Sequence, residues 1–456
     1  MTRVLALDVG TSSVRARVYD ERGEHVRGVE AQTRYEVTHG HDGRAEFDPD
    51  HLVEATTAAL EEARREAGDP VEAVGTSCFW HSLMAVDARG RALSPLVTWR
   101  DTRSVAAAER LAGLVDPAAV HARTGCVVHP SYWPAKLLWL RETEPQLFRS
   151  VHRFVSFADY LYGRLAGDMR TSVSMASGTG LLDVNAGTWD DELLAAVGVT
   201  PERLPEISDE PAAAGEPWFP AIGDGACSNV GAGCTTPDRA ALMIGTSGAY
   251  RVAFQAERAE PRPGLFLYRL DGRSFVEGGA LSDGGNLYAW LAQTLRLPEA
   301  AGLADAEPAA HGLTFLPLLG GERSPGWNGR ARGAIAGLSF DTTPAHILQA
   351  ALEGIAYRFA ELADLLPEVR EVVATGHALH ANPTWVQILA DVLARPVTLC
   401  EVDEASARGA AVVVLERLGH APPQAPSGRA FLPRAERSEA YRLDRDRQRS
   451  LYRCVT

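Results

Sequence analysis

The stretch VLALDVGTSSVRARVYD, residues 4–20, decides the fold. Val4 to Leu7 form a short apolar run that ends on an acid, Asp8. The chain then turns through the small residues Gly10-Thr11-Ser12-Ser13. From Val14 to Tyr19 apolar and polar residues alternate, the period of a half-buried strand. Asp20-Glu21-Arg22-Gly23 supplies a second turn, so the opening is a β-meander. The passage ALMIGTSGAYRVAF, residues 241–254, repeats the order strand, Gly-Thr-Ser turn, strand. Thr11 and Thr246 lie 235 residues apart, about half of a 456-residue chain, and duplication of one fold accounts for that spacing.

The second half alternates helices with strands. Thr343-Pro344 is a helix start, a capping hydroxyl followed by proline at the first helical position. Ile347, Leu348, Ala351, Ile355, Phe359, Leu362 and Leu366 then keep helical spacing. Residues 371–375 read as a strand that runs into Gly376. Asn382-Pro383 opens a further helix with Trp385, Ile388, Leu389 and Val392 on one face, which assigns Trp385 to the core. Residues 397–402 read as a strand and 407–418 as a helix of small residues. The pattern predicts α/β domains. The boundary is placed at residue 235, giving domains 1–235 and 236–456 that meet around a central cleft.

Composition narrows the function. The 59 acidic against 45 basic residues, a formal charge of −14, work against a nucleic-acid binder, which needs a basic face. There is no apolar run of about 18 residues to cross a membrane, and no leader pattern at the start. The six cysteines form no CxxC pair and read as thiols of a reducing compartment, so the cytoplasm is the expected location.

Several residues could carry chemistry. Asp8, at a strand end beside a glycine turn, suits a magnesium ion, which prefers one or two carboxylates plus phosphate oxygens. Backbone N–H groups of such a turn form an anion-binding concavity. Taken singly, the D-x-G-T-S pattern is also an ordinary hairpin turn, but a second copy at Gly245 suits a pair of turns clamping a triphosphate. Asp224, between Gly223 and Gly225, is either a presented carboxylate or a simple turn aspartate. Gly376 occupies a strand-to-helix turn, where α/β sheets hold ligands or merely connect. His81 reads as a core histidine or a ligand. Trp99-Arg100-Asp101-Thr102-Arg103 reads as a grip for hydroxyls or carboxylate, or as a solvated loop.

Together these segments resemble the FGGY family of carbohydrate kinases, which have the actin-like, ribonuclease-H-like ATPase fold. The resemblance rests on LALDVGTSSVRARVYD at the start, TWRDTRS at 98–104, AIGDGACSNVGAG at 221–233 and IGTSGAYR at 244–251. It continues through the long segment from Gly321 (GERSPGWNGRARGAIAGLSFDTTPAHILQAALEGIAYR), ATGHALHANPTWVQILADVL at 374–393 and EASARGAA at 404–411. It implies two ribonuclease-H-like domains around a cleft, and ATP with Mg2+ as the phosphoryl donor. By the same resemblance Asp224 is the general base and Asp8 organises the metal. Thr11, Ser12, Ser13, Gly245, Thr246, Gly376 and Asn382 would lie along the nucleotide, and His81, Asp101 and Arg103 would line the sugar pocket. Two departures stand out: His377 follows Gly376 where consecutive glycines are usual, and Ser172 stands where aspartate is frequent.

His81-Ser82-Leu83-Met84-Ala85-Val86-Asp87, and His129-Pro130 leading to Lys136-Leu137-Leu138-Trp139-Leu140, look most like the gluconate kinases of this family. Arg103 or Lys136 could then meet the gluconate carboxylate. D-xylulose is the alternative acceptor, and an actin-fold protein that binds ATP without phosphorylating a sugar is the alternative of another class. Small molecules are the expected partners, with no nucleic acid, no membrane, and a homodimer as an allowed assembly.

Overall fold

Val4, Leu5, Ala6 and Leu7 have no solvent exposure, because they form the centre strand of a seven-stranded sheet. The computed structural model describes residues 2–297, 303 and 306–456. In it, β1 (Arg3–Val9) pairs antiparallel with β2 (Ser13–Asp20), and β2 pairs antiparallel with β3 (His25–Arg34). Helix α1 (Pro49–Ala67) covers this sheet. Asp48 caps it by accepting from the backbone N–H groups of Asp50 and His51, and Leu52, Val53, Ala59 and Leu60 join the sheet's core. Strand β4 (Ala73–Cys78) returns parallel to β1, with Ser77 directly opposite Asp8. Strand β5 (Ile222–Gly223) pairs parallel with β4 and runs straight into α2 (Asp224–Gly231).

The second half repeats the plan in another seven-stranded sheet. Strand β6 (Arg239–Ile244) pairs antiparallel with β7 (Gly248–Gln255), β7 antiparallel with β8 (Ser274–Leu281), and β9 (Glu371–Thr375) lies parallel to β6. Helix α3 (Pro344–Leu365), opened by the Thr343 cap, covers it with Leu348, Ile355, Phe359 and Leu362. After β9 come α4 (His377–Ala381), α5 (Pro383–Leu393), strand β10 (Val397–Cys400) and α6 (Ala405–Arg417). Trp385 is buried in this core, as its helical spacing predicts. The strand expected to reach residue 402 stops at Cys400, where its register with the neighbouring strand Ser427–Phe431 shifts.

Helices α2 and α6 tie the halves together by crossing at glycines. A Cβ on Gly231 would lie 1.8 Å from the carbonyl oxygen of Ala405, and one on Gly409 would lie 1.8 Å from that of Cys227. The small-residue composition of 405–411 thus reflects backbone-to-backbone packing. Ala407, Ala410, Ala411 and Val414 of α6 pack against Val4, Ala6 and Ala73 of the first sheet. Ala232 and Cys234, which follow α2, pack instead on Ala241 and Val373 of the second.

Candidate active site

Asp224 is the first residue of α2, and its flanking glycines are required by one side chain. A Cβ on Gly223 would lie 1.7 Å from Trp80 Cε2, and one on Gly225 would lie 2.7 Å from Trp80 Cζ3. Gly178 meets the same indole, with an added Cβ only 2.3 Å from Cδ1. Trp80 is held by Nε1 donating to the Ser174 carbonyl at 3.1 Å. The indole is therefore the floor on which the carboxylate is set. Above it opens a crevice of about 110 Å³ between the two halves. The first half contributes His81, Trp99 and Asp224 to its walls, and the second Ser247, Arg251, Tyr268 and Arg323.

Burial raises the affinity of Asp224 for a proton, opposed by the Arg251 guanidinium and by the Gly225 N–H, which donates to Oδ1 at 2.8 Å. Arg251 donates through Nη1 to the Gly225 carbonyl at 3.1 Å and to Asn229 Oδ1 at 3.3 Å, so it holds the start of α2. Asp8 Oδ1 accepts from Ser77 Oγ at 2.7 Å. Burial pushes the Asp8 carboxyl up to about 6, the Ser77 bond opposes that, and the charge of Asp224 adds to it, so the two acids sense each other. His81 has left-handed backbone (φ 70°) and a ring kept neutral by burial. Its Nδ1 must donate to the Gly178 carbonyl, which leaves Nε2 as a bare acceptor on a residue of the crevice wall.

The second Gly-Thr-Ser turn is gripped from two sides. The Gly285 and Asn286 N–H groups donate to the carbonyls of Gly245 and Thr246 at 2.8 and 3.1 Å. A Cβ on Gly376 (φ 106°) would lie 2.2 Å from the Ile244 carbonyl oxygen, so only glycine passes this close. Asn382 Oδ1 caps α5 by accepting from the Trp385 N–H, while its Nδ2 is buried without a partner among the described residues. His377 is exposed at the start of α4. The first turn is closed differently: the Tyr35 hydroxyl donates to the Gly10 carbonyl, and the Tyr35 N–H to that of Ser12.

The structure gathers only part of the expected set into the crevice. His81 and Asp224 line it. Gly245 and Thr246 flank the lining Ser247, and Gly376 packs behind that turn. Thr11, Ser12 and Ser13 are not among its lining residues, and the first turn joins the site through Asp8. Asp101 and Arg103 do not reach the pocket expected for them. Arg103 pairs with Asp101 and Glu46, Asp101 accepts from the Ala45 N–H, and neither is among the crevice-lining residues. Five adjacent residues cannot all face one way, and Trp99 is the member that turns to the crevice. Lys136 is also outside it, buried and donating to the His81 carbonyl. Ser172, at the unusual position, is a structural cap that donates to the Ala221 carbonyl and accepts from the Met175 N–H.

Sequence reasoning passed over Trp80, Arg251, Tyr268, Arg323 and the Gly284-Gly285 pair. Two signals were available: Arg251 and Arg323 lie inside the motifs already singled out, and paired glycines before a helix mark a close approach. A magnesium ion fits the donor set, because Asp8 is a buried carboxylate beside a small-residue turn and a phosphate-bound ion needs few protein ligands. Among the described residues no helix is long and apolar enough to cross a membrane.

Comparison with known proteins agrees with this geometry. Residues 3–217 match the N-terminal domain of the FGGY family of carbohydrate kinases, and residues 240–415 match its C-terminal domain. The chain is 27% identical to gluconokinase from Bacillus subtilis (strain 168), covering 91% of this chain and 88% of that protein. It is 29% identical to xylulose kinase from Escherichia coli (strain K12), over 98% of both. It is 33% identical to glycerol kinase from Ralstonia nicotianae, over 90% of this chain and 89% of that one. A ligand-bound xylulose kinase from Lactobacillus acidophilus superposes with a TM-score of 0.93 at 24% identity, covering 100% and 98% of the two chains, which shows the shared fold. The chain belongs to the FGGY family of carbohydrate kinases and is a two-domain phosphotransferase. That membership implies ATP as donor and a small sugar as acceptor, and it leaves the non-catalytic alternative without support.

Proposed function

We propose that the protein phosphorylates a sugar or sugar acid from ATP, with D-gluconate as the first acceptor and Asp224 as the general base. One observation carries this reading: among the described residues, Asp224 is the one carboxylate lining the crevice between the two halves, together with Ser247 and Gly248 of the second turn. Burial raises its proton affinity, which suits a base that must take a hydroxyl proton and release it again. His81 Nε2 accepts from a neighbouring hydroxyl and orients the acceptor. Asp224 removes the proton from the reacting hydroxyl as its oxygen bonds to the γ-phosphorus. The bond from that phosphorus to the β–γ bridging oxygen breaks, and ADP leaves with the electron pair. Ser247, with Gly245 and Thr246 beside it and Gly376 behind the turn, forms the donor side of this reading, and the first turn, Gly10 to Ser13, joins it through Asp8. Magnesium held by Asp8 and the phosphates would neutralise charge on the transferring group.

Gluconate is supported by the gluconokinase relative and by the 81–87 and 129–140 segments. D-xylulose is the second reading, supported by a relative aligned over more of the chain. ADP release measured across gluconate, xylulose, ribulose and glycerol tests the assignment. Replacement Asp224→Asn is expected to abolish ADP release with every acceptor, and near-normal turnover would remove Asp224 from this role.

A further inference from the structure

The crevice holds more positive charge than its own structure uses. Arg251 is committed to Gly225 and Asn229. Arg323 also lines the crevice, yet among the described residues no carboxylate pairs with it, and its buried Nε has no partner. Arg100 is likewise without an ion pair among the described residues. Both guanidiniums gather on one indole: Arg323 Cζ lies 5.1 Å and Arg100 Cζ 4.8 Å from the Trp99 ring centroid. Burial opposes the charge of Arg100, and Arg323 adds to that opposition. The other basic groups nearby do not compete for an anion. His81 and His129 are held neutral, chiefly by burial. Arg103 is satisfied by Asp101 and Glu46, and Lys136 faces the His81 carbonyl behind the wall.

A crevice guanidinium with no paired carboxylate among the described residues suits an anion with two oxygens, the geometry a carboxylate offers to a guanidinium fork. The anion is a part of the acceptor, because Arg323 lines the crevice together with His81 and Tyr268, and its charge acts on His129 and Tyr132. Tyr268 is held there by Tyr132, hydroxyl to hydroxyl at 2.7 Å. Asp8 and the Gly-Thr-Ser turns mark the donor side. We propose that Arg323, seated on Trp99 at the crevice wall, recognises the carboxylate of the acceptor, with Arg100 adding positive charge from the same indole, so that this kinase selects aldonates over neutral sugars. The inference rests on the acceptor pocket assigned above.

The test compares kcat/KM for D-gluconate and D-xylulose, and KM for ATP, in the full chain and in Arg323→Gln, Arg323→Lys and Arg100→Gln. The gluconate-to-xylulose ratio is expected to fall about 30-fold in Arg323→Gln, the scale of one charged hydrogen-bonding partner. It should fall about fivefold in Arg100→Gln and recover in part in Arg323→Lys, which keeps charge without the fork. Thermal stabilisation by D-gluconate but not by D-glucitol, lost in Arg323→Gln, supports the site without reliance on turnover. A ratio that stays put, a wild type that prefers xylulose, or a rise confined to the ATP KM overturns the proposal, the last by assigning the anion to phosphate. Asp224→Asn, assayed beside them, separates the two ideas. If it is inactive while the Arg323 ratio is unmoved, only the carboxylate site fails. If it is active, the base assignment fails instead.

Discussion

The two Gly-Thr-Ser hairpins share a backbone plan and differ in chemistry. In the first, β1 carries Asp8 as its penultimate residue, opposite Ser77, and residues 10–13 form the loop between paired Val9 and Val14. In the second, Met243 takes the place of the acid, Thr375 takes the place of the serine, and the loop is one residue shorter, between Ile244 and Gly248. The Thr375 hydroxyl, with no carboxylate to serve, is buried without a partner among the described residues. Tyr35 fastens the first turn, whereas Gly285, Asn286 and Gly376 crowd the second. The two hairpins share a frame, and a thioether in place of one carboxylate divides the labour: charge management on one side, close backbone approach on the other.

That division can be broken experimentally. The largest effect is expected where the symmetry is already lost, at the base. Asp224→Asn should lower kcat by about 10³-fold or more while the KM for ATP moves little, as steady-state kinetics would report. Next, Asp8→Asn should cut turnover by about 10²-fold and raise the magnesium concentration needed for half-maximal rate, whereas Met243→Leu at the matching register should cost less than about tenfold, since the swap conserves volume. Third, Gly376→Ala forces a side chain into a left-handed position against the Ile244 carbonyl. It should raise the KM for ATP and cost about 1–3 kcal/mol of stability in denaturant unfolding.

The smallest effect is a pH dependence. Asp8 titrates at about 6 in the fold against 3.8 as an ordinary carboxyl. Between those values the folded state keeps a proton that the unfolded chain has released. For this group, stability of the ligand-free protein is therefore greatest below the lower value and declines as pH rises to the upper one. Asp8→Asn should remove that decline, so its melting temperature should exceed that of the unaltered chain by more at pH 7 than at pH 4. An equal difference at both would mean that Asp8 is not desolvated.

Much of this frame was legible in the sequence. The period-two alternation of 14–19, the Thr343-Pro344 start and the apolar face of 383–393 each report a local preference that the fold obeys. The glycines around Asp224 were visible, but their cause, Trp80, was not, because the indole arrives from the loop after β4, about 140 residues earlier. The same limit explains Arg323 and Tyr268, which meet His81 only through the packing of one half on the other. It also explains Asp101 and Arg103, which bond to Ala45 and Glu46 while their neighbour Trp99 lines the crevice. Spacing along a strand predicts facing, but a loop such as 98–104 has no period from which facing can be read.

The crossing of α2 and α6 bears on how the chain matures on the ribosome. The inner face of β1 and β4 is covered by Ala407, Ala410, Ala411 and Val414, which are translated long after the strands they shield. The opening meander therefore emerges with an apolar surface whose lid is still unsynthesised, and nascent chains halted before residue 405 should depend on chaperone protection until release.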